Sequence, residues 1–356
     1  MATQHHKRQI HIIDTLLIFV PFSFILYYLH VNSTVTFFVT AIAIAAITHF
    51  IAESTSIIAR QVSNTISALI NATFGNVVEF FIAIFALRDG LTNLVKASIT
   101  GSIVVNVLLL IGLSMLSGGI KYKEQRFNKD SAGVASTMLI IMVVGLALPS
   151  LYSMTVGKPT QTMSFAVSII LGTIYLLSLL YTLVTHKHLF VVERKGPHDE
   201  HGRWSTRTAV IILLIATVLV SFEASIIVKT IEPLMQLGGF TEAFIGLVFI
   251  SLLTNIPEHL SAISFARKNN MTLSLEIGMS SALQIALFVV PVLVLVSSIY
   301  LGNPLDLVFS PFELVAVVIT AMIANYISSD GVCHWLEGAQ LIAVYSLIAT
   351  VFYFIV

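Results

Sequence analysis

Long apolar segments run through this chain from end to end and constrain its fold more than any other feature. A helix that crosses a bilayer needs about 20 mostly apolar residues. The chain is 57% hydrophobic and 10% charged, whereas a soluble domain carries about 25% charged residues. We therefore predict an all-α polytopic membrane protein with about eleven transmembrane helices. The predicted spans are 12–30, 34–52, 66–87, 92–116, 132–149, 163–185, 208–229, 241–265, 272–298, 311–328 and 336–355.

Charge and cysteine content exclude several other classes. The formal net charge is zero, which gives no support for nucleic-acid binding. Cys333 is the one cysteine, so an internal disulfide and a cysteine-rich metal site are both excluded. The first apolar run lacks a small-residue cleavage site, so we interpret it as a spanning helix and not as a removed signal.

The distribution of basic residues predicts the orientation in the membrane. With the N-terminus in the cytoplasm, fourteen of the 18 Lys and Arg residues lie on the inner side, as the positive-inside rule expects. The four on the outer side are Arg88, Lys96, Lys158 and Lys229. The short termini favour a prokaryotic plasma membrane, and a homo-oligomer is compatible with the sequence.

A glutamate within the third apolar segment is the most informative single residue. A charge inside a membrane span is costly and rarely incidental. Asn76 precedes Glu79 by three residues, so a helix presents both on one face. Gly75 can relax or break the helix beside them. The eighth segment repeats this spacing with Asn255 and Glu258.

Three features recur in the same order in both halves of the chain. They are a helix with Glu53 or Glu223, an Asn-x-x-Glu break, and a helix with a serine and an amide, either Ser102 and Asn106 or Ser280 and Gln284. Each half then holds five helices, and the odd number requires two repeats inverted in the membrane. The predicted units are an extra N-terminal helix at 1–33, a first repeat at 34–185, a cytoplasmic linker at 186–207 and a second repeat at 208–356.

The polar residues of the two breaks predict a binding site for a hard cation. The candidate ligands all bear oxygen: Glu79, Glu258, Asn76, Asn255, Ser102, Ser280, Asn106 and Gln284. Pro257 cannot donate a hydrogen bond to the carbonyl of Leu253, which leaves backbone oxygens free for a ligand. Ca²⁺ accepts six to eight flexible oxygen ligands and fits best, Mg²⁺ fits less well because it holds its water tightly, and Mn²⁺ stays an alternative.

The same two carboxylates can carry protons. Burial and mutual repulsion favour the protonated forms of Glu79 and Glu258, whereas a bound divalent cation favours the ionised forms. Cation and protons therefore compete for the same oxygens, which predicts exchange of one for the other. With two protons per cation, one pH unit supplies about 2.7 kcal/mol, enough to balance roughly a hundredfold cation gradient.

The chain resembles the Ca²⁺/H⁺ antiporters of the cation/Ca²⁺ exchanger superfamily. The matching motifs are Gly75 to Glu79, Phe85 to Thr92, Gly101-Ser102, Glu258-His259 and Leu283 to Ala286. The resemblance extends from Glu53 to the segment at Glu337. It implies that the glutamate pair binds the cation and carries protons, and that the Asn, Ser and Gln positions line the site. It also implies that Glu53 and Glu223 line or gate the access path, for which His259 is a further candidate.

Several alternatives stay open at the sequence level. Pro257 directly before Glu258 is similar to the Na⁺/Ca²⁺ exchanger branch of the same superfamily, so Na⁺ could replace H⁺ as the coupling ion. A Mn²⁺/H⁺ antiporter and a passive channel are further alternatives. An intramembrane enzyme would belong to a different class, but the chain has no His-Glu-x-x-His or Gly-x-Ser-x-Gly motif. We therefore predict a transporter that needs no cofactor, whose partners are Ca²⁺, protons and the lipid bilayer.

Overall fold

The computed structural model describes residues 12–157, 161–186 and 204–355, and almost all of these residues are helical. Up to residue 186 the elements are α1 (Ile12–Thr15), a 3₁₀ turn (Leu16–Ile18), α2 (Phe19–Tyr28), α3 (Ser33–Ala59), α4 (Asn64–Phe74), α5 (Val77–Arg88), α6 (Thr92–Val104), a π-helix (Val105–Leu110), α7 (Ile111–Tyr122), β1 (Glu124–Arg126), α8 (Lys129–Val156), α9 (Gln161–Leu180) and a π-helix (Tyr181–Thr185). From residue 204 they are α10 (Thr206–Gly238), α11 (Glu242–Phe244), a π-helix (Ile245–Ile250), α12 (Ser251–Thr254), α13 (Ile256–Arg267), α14 (Met271–Gln284), a π-helix (Ile285–Val289), α15 (Val290–Tyr300), α16 (Pro311–Ile327), β2 (Val332–His334) and α17 (Trp335–Phe354). Most of the predicted linker at 186–207 lies outside the described residues.

All eleven predicted segments contain helix, which confirms the polytopic all-α membrane class. By length and composition, 7 helices of the described chain could each cross a membrane, and a bent pair raises the number to 8. Two further segments form shorter apolar helices, Leu16–Tyr28 and Pro311–Ile327. The third predicted span is divided into α4 and α5.

Both helices that carry an Asn-x-x-Glu motif are broken at the asparagine. Asn76 separates α4 from α5 with φ −120° and ψ 25°, and Asn255 separates α12 from α13 with φ −100° and ψ 12°. The second break bends the chain by 59°. Pro257 is tolerated at the start of α13, because the N–H of a first-turn residue has no acceptor within the helix and its absence costs no hydrogen bond.

The spans that carry the amides are locally widened. The span from Thr92 to Tyr122 contains the π-helix Val105–Leu110, which includes Asn106. The span from Met271 to Tyr300 contains the π-helix Ile285–Val289, which begins directly after Gln284. Wide turns of this kind occur often at functional sites, and here they mark the same feature in both halves.

The most extensive packing contact joins the two halves through α3 and α10, and α10 also packs on α5. The span containing α6 lies against the π-helix Ile245–Ile250. This approach depends on glycine, because a Cβ on Gly246 would lie 2.7 Å from the carbonyl oxygen of Leu94. Gly101 makes the matching close approach from α6 toward Leu247.

Two short strands, which the sequence did not predict, form an antiparallel pair at one end of the bundle. β1 pairs antiparallel with β2, and Gln125 stands opposite Cys333. The buried Gln125 side chain donates a hydrogen bond to the carbonyl of Ala266 at 2.9 Å. The pair therefore ties the end of α7 and the start of α17 to the end of α13.

Candidate cation site

The two glutamates occupy the same position at the start of two half-helices. Glu79 is the third residue of α5, and Glu258 is the third residue of α13. First-turn N–H groups have no partner within their helix, and the N-terminal end carries the positive pole of the helix dipole. The broken helices thus hold two negative groups where the backbone favours them.

The fold brings the two carboxyl groups together from opposite halves of the chain. Glu79 lies close enough to Glu258 for electrostatic repulsion between the two carboxyl groups. One carboxyl oxygen of Glu258, Oε2, is buried and has no hydrogen-bond partner within the described residues. A buried carboxylate oxygen without a donor is costly, so a cation or a proton at this position would stabilise the pair.

The four amides pair crosswise between the halves. The Asn76 side chain of the first break donates to Gln284 Oε1 of the second half at 2.8 Å. The Asn106 side chain of the first half donates to Asn255 Oδ1 of the second break at 2.8 Å. Neither asparagine at a break caps its own helix with its side chain. The Asn76 side chain thus donates to the partner half. The Asn255 side chain accepts from the partner half through its oxygen and donates to the carbonyl of Ser251 in its own α12 at 2.8 Å.

The serines are placed differently from one another. Ser102 is buried in α6, about one turn before Asn106. Ser280 is exposed on α14, where its hydroxyl donates to the carbonyl of Ile277 at 3.3 Å. Ser281, which sequence analysis did not single out, accepts a hydrogen bond from Asn106 at 3.0 Å. The Ser280-Ser281 doublet was the available signal, but the sequence did not decide which hydroxyl faces the amides.

Two cavities that contain Glu258 extend from this cluster toward the same end of the bundle. One, of about 430 Å³, extends from Glu258 along α3 and α4 to Ala59 and Ser67, which flank the loop at 60–63. A second, of about 320 Å³, contains Asn76, Glu258, Ser280, Ser281 and Gln284 and extends to Phe265. Ala59 lies next to Arg60 and Phe265 lies near Arg267, on the side that the basic residues predict to be cytoplasmic.

The predicted gating residues have unequal surroundings. Glu53 on α3 is half-buried, and its Oε2 lies 3.9 Å from His49 Nε2. Its neighbours Ala52, Thr55 and Ser56 line the larger cavity. Glu223 on α10 is 0% exposed and contacts Ser23. His259 faces its own helix end, with Nδ1 2.7 Å from the Asn255 carbonyl oxygen.

The polar side chains of this cluster include few charged groups. Within residues 12–157, 161–186 and 204–355, no three His, Cys, Asp or Glu residues cluster as they would around a resident metal. Two carboxyl groups, four amides and nearby hydroxyls remain, all of them oxygen donors to a hard cation. Paired discontinuous helices that meet in this way are typical of secondary transporters.

The chain belongs to the sodium/calcium exchanger protein family, whose sequence profile matches residues 32–184 and 208–354. It is 40% identical to the Ca²⁺/H⁺ antiporter of Aphanothece halophytica, with 95% of each chain covered. It is 38% identical to the Ca²⁺/H⁺ antiporter ChaA of Bacillus subtilis, covering 94% of this chain and 96% of that protein. The solved structure of YfkE superposes with a TM-score of 0.84 at 36% identity, covering 96% of this chain and 99% of the YfkE chain.

Proposed function

We propose that this protein is a secondary active antiporter that exports Ca²⁺ from the cytoplasm in exchange for H⁺ by alternating access. The observation that carries the proposal is the meeting of Glu79 and Glu258 at the starts of two half-helices from opposite halves of the chain. The relatives described above, named as Ca²⁺/H⁺ antiporters, support the same assignment. The protein acts as a transporter and not as an enzyme, and Ca²⁺ and H⁺ are its cargo.

The two carboxyl groups alternate between cation and protons. Ca²⁺ binds Glu79 and Glu258 in their ionised forms, and each proton that arrives removes one of its charged ligands. Asn76, Asn255, Asn106, Gln284, Ser102 and Ser280 are the proposed neutral oxygen ligands. The hydrogen bonds between the amides hold the site together, and each amide oxygen keeps a second lone pair that can face Ca²⁺.

The cavities support a direction of access. Both reach Glu258 from the end of the bundle that carries Arg60 and Arg267, which supports an inward-open arrangement with the N-terminus in the cytoplasm of a prokaryotic plasma membrane. Ca²⁺ enters there, the two predicted inverted repeats rock against each other, and protons from the outside displace the ion. Glu53, Glu223 and His259 are the proposed groups of the access paths.

A flux assay in everted membrane vesicles tests the proposal. A pH gradient with the vesicle lumen acidic should drive Ca²⁺ uptake against its gradient in a medium without Na⁺. Glu79→Gln and Glu258→Gln should each abolish this uptake, because glutamine cannot exchange a proton for a cation. Glu232→Gln, a matched change at an exposed residue of α10, should retain it.

The outcomes separate the alternatives. Ca²⁺ uptake that requires Na⁺ would establish the Na⁺-coupled exchanger, and downhill flux alone would establish a channel. Preference for Mn²⁺ over Ca²⁺ in the same assay would establish the Mn²⁺/H⁺ antiporter. Substantial pH-driven uptake by the Glu79→Gln variant would contradict the proposal.

A further inference from the structure

A contact far from the central glutamates joins the N-terminal span to the second half. Ser23 of α2 and Glu223 of α10 are both 0% exposed. The Ser23 Oγ lies 2.6 Å from Glu223 Oε1 and also 2.6 Å from the carbonyl oxygen of Val20. Phe24 packs edge-on against Phe222 beside this contact, with ring centroids 6.2 Å apart. The Glu223 carboxyl is thus enclosed between two helices.

The number of protons available decides the ionisation state of Glu223. A serine hydroxyl has one proton to donate, whereas a carbonyl oxygen and an ionised carboxylate can only accept. Two short contacts from one hydroxyl to two such acceptors would leave one pair of oxygens without a proton between them. The geometry is satisfied when Glu223 is a carboxylic acid, because its O–H then donates to Ser23 and the Ser23 O–H donates to Val20.

The surroundings of Glu223 favour the same neutral form. Its second oxygen, Oε2, is buried and has no hydrogen-bond partner within the described residues. The helices packed on α10 are α3, α5 and α2. Their titratable side chains, together with those of α10 itself, are His49, Glu53, Glu79, Arg88, Tyr27, Tyr28, Arg207, Lys229 and Glu232.

None of these groups neutralises Glu223. Among the described residues, Ser23 is the hydrogen-bond partner of the Glu223 carboxyl, and no cation forms an ion pair with it. Lys229, the cation two turns further along α10, donates instead to the hydroxyl of Tyr27 at 3.2 Å. Burial of an isolated ionised carboxylate is so costly that such a group takes up a proton instead.

We propose that Glu223 is a third proton-binding carboxyl, held as the neutral acid by Ser23 of the N-terminal span while the outer access path is closed. When α10 moves and water reaches Glu223, the proton passes from the carboxyl oxygen to water and the contact with Ser23 weakens. The N-terminal span, which lies outside both predicted repeats, thereby stabilises the closed outer path. This gating role rests on the alternating access proposed above, whereas the protonation of Glu223 does not.

Infrared difference spectroscopy of the purified full-length protein tests the protonation directly. At pH 7 an exposed glutamate is ionised by about 500 to 1, so a carboxylic-acid C=O band must come from buried groups. The spectrum of wild type minus Glu223→Gln should show a lost acid band, and the spectrum of wild type minus Glu232→Gln should show a lost carboxylate band. A lost carboxylate band for Glu223→Gln would overturn the proposal.

The Ser23 contact has its own readouts. Ser23→Ala should move the acid band to the frequency of an acid with a weaker hydrogen bond, and Ser23→Thr should keep it near the wild-type position. In flux assays Ser23→Ala should shift the pH of half-maximal Ca²⁺ transport downward, and Ser23→Thr should restore it. An unmoved band in Ser23→Ala would contradict the assigned contact, and an unmoved flux profile would contradict the gating role.

Absence of pH-driven flux in the wild type would refute the proposed function and leave the infrared result standing.

Discussion

At the residue scale, the site is organised by where each polar side chain finds its hydrogen-bond partner. Asn106 illustrates this, because its buried amide donates to both Asn255 and Ser281 while its Oδ1 has no partner within the described residues. The nitrogen is therefore fixed by two acceptors from the second half, which leaves the oxygen as the atom available to a cation. A substitution that removes one acceptor should loosen the orientation of this oxygen.

Ser281→Ala tests this orientation. Loss of one hydrogen bond costs about 1 kcal/mol, which predicts about a fivefold rise in the Ca²⁺ concentration for half-maximal transport. Ser274→Ala is the matched control, because Ser274 is a buried serine two turns earlier on α14. It should leave that concentration unchanged. Equal effects of the two substitutions would contradict the role assigned to Ser281.

Some residue partners could be predicted from the sequence and others could not. The spacing of Asn76 and Glu79, repeated in Asn255 and Glu258, predicts that both pairs share a place in the fold, and the structure brings the two glutamates together. The choice between Ser280 and Ser281 depends on how α14 is rotated about its own axis. A π-helix begins directly after Gln284, at the end of α14. Ser23 and Glu223 are 200 residues apart, and no sequence repeat links them.

At the element scale, the two breaks give the half-helices their chemistry. The C-terminal ends of α4 and α12 present carbonyl groups and a negative dipole end, while α5 and α13 begin with a positive one. A cation and two carboxyl groups can both be accommodated where these ends meet. Gly75 and Pro257 predicted the breaks from sequence because each disfavours a continuous helix. The π-helices and the short β1–β2 pair have no such local signal and were not predicted.

The stability of the protein should depend on the close packing of α6 on the π-helix Ile245–Ile250. In Gly246→Ala the new Cβ would lie 2.7 Å from the Leu94 carbonyl oxygen and 2.9 Å from the Ser98 nitrogen. Backbone atoms cannot move aside without disturbing their helix. We therefore expect the free energy of unfolding to fall by about 1–3 kcal/mol and the Tm of the detergent-solubilised protein to be lower.

Gly133→Ala on α8 is the matched control, because its Cβ would meet nothing within 4 Å. Alanine favours a helix over glycine by up to about 1 kcal/mol, so this variant should keep or raise the Tm. A Gly246→Ala variant that is as stable as Gly133→Ala would show that the contact between the two elements is not close-packed.

At the scale of the whole molecule, two halves each supply one carboxylate, one broken helix and one widened amide helix to a single cluster. The class of protein and its helical segments follow from hydropathy, because each span must supply about 20 apolar residues. The repeat boundaries, the inversion and the ligand set stay predictions. Glu53 and Glu223, which the predicted repeat pairs, have unequal environments in this conformation, which agrees with the proposed alternating access.

The most direct measurement is proton release on Ca²⁺ binding to the purified protein in weakly buffered solution. If cation and protons compete at Glu79 and Glu258, Ca²⁺ should release about two protons per ion bound when both carboxyls start protonated, and its apparent affinity should fall as the pH is lowered. Glu79→Gln and Glu258→Gln should each lose this release. Ca²⁺ binding of unchanged affinity from acidic to alkaline pH, with no protons released, would contradict the account.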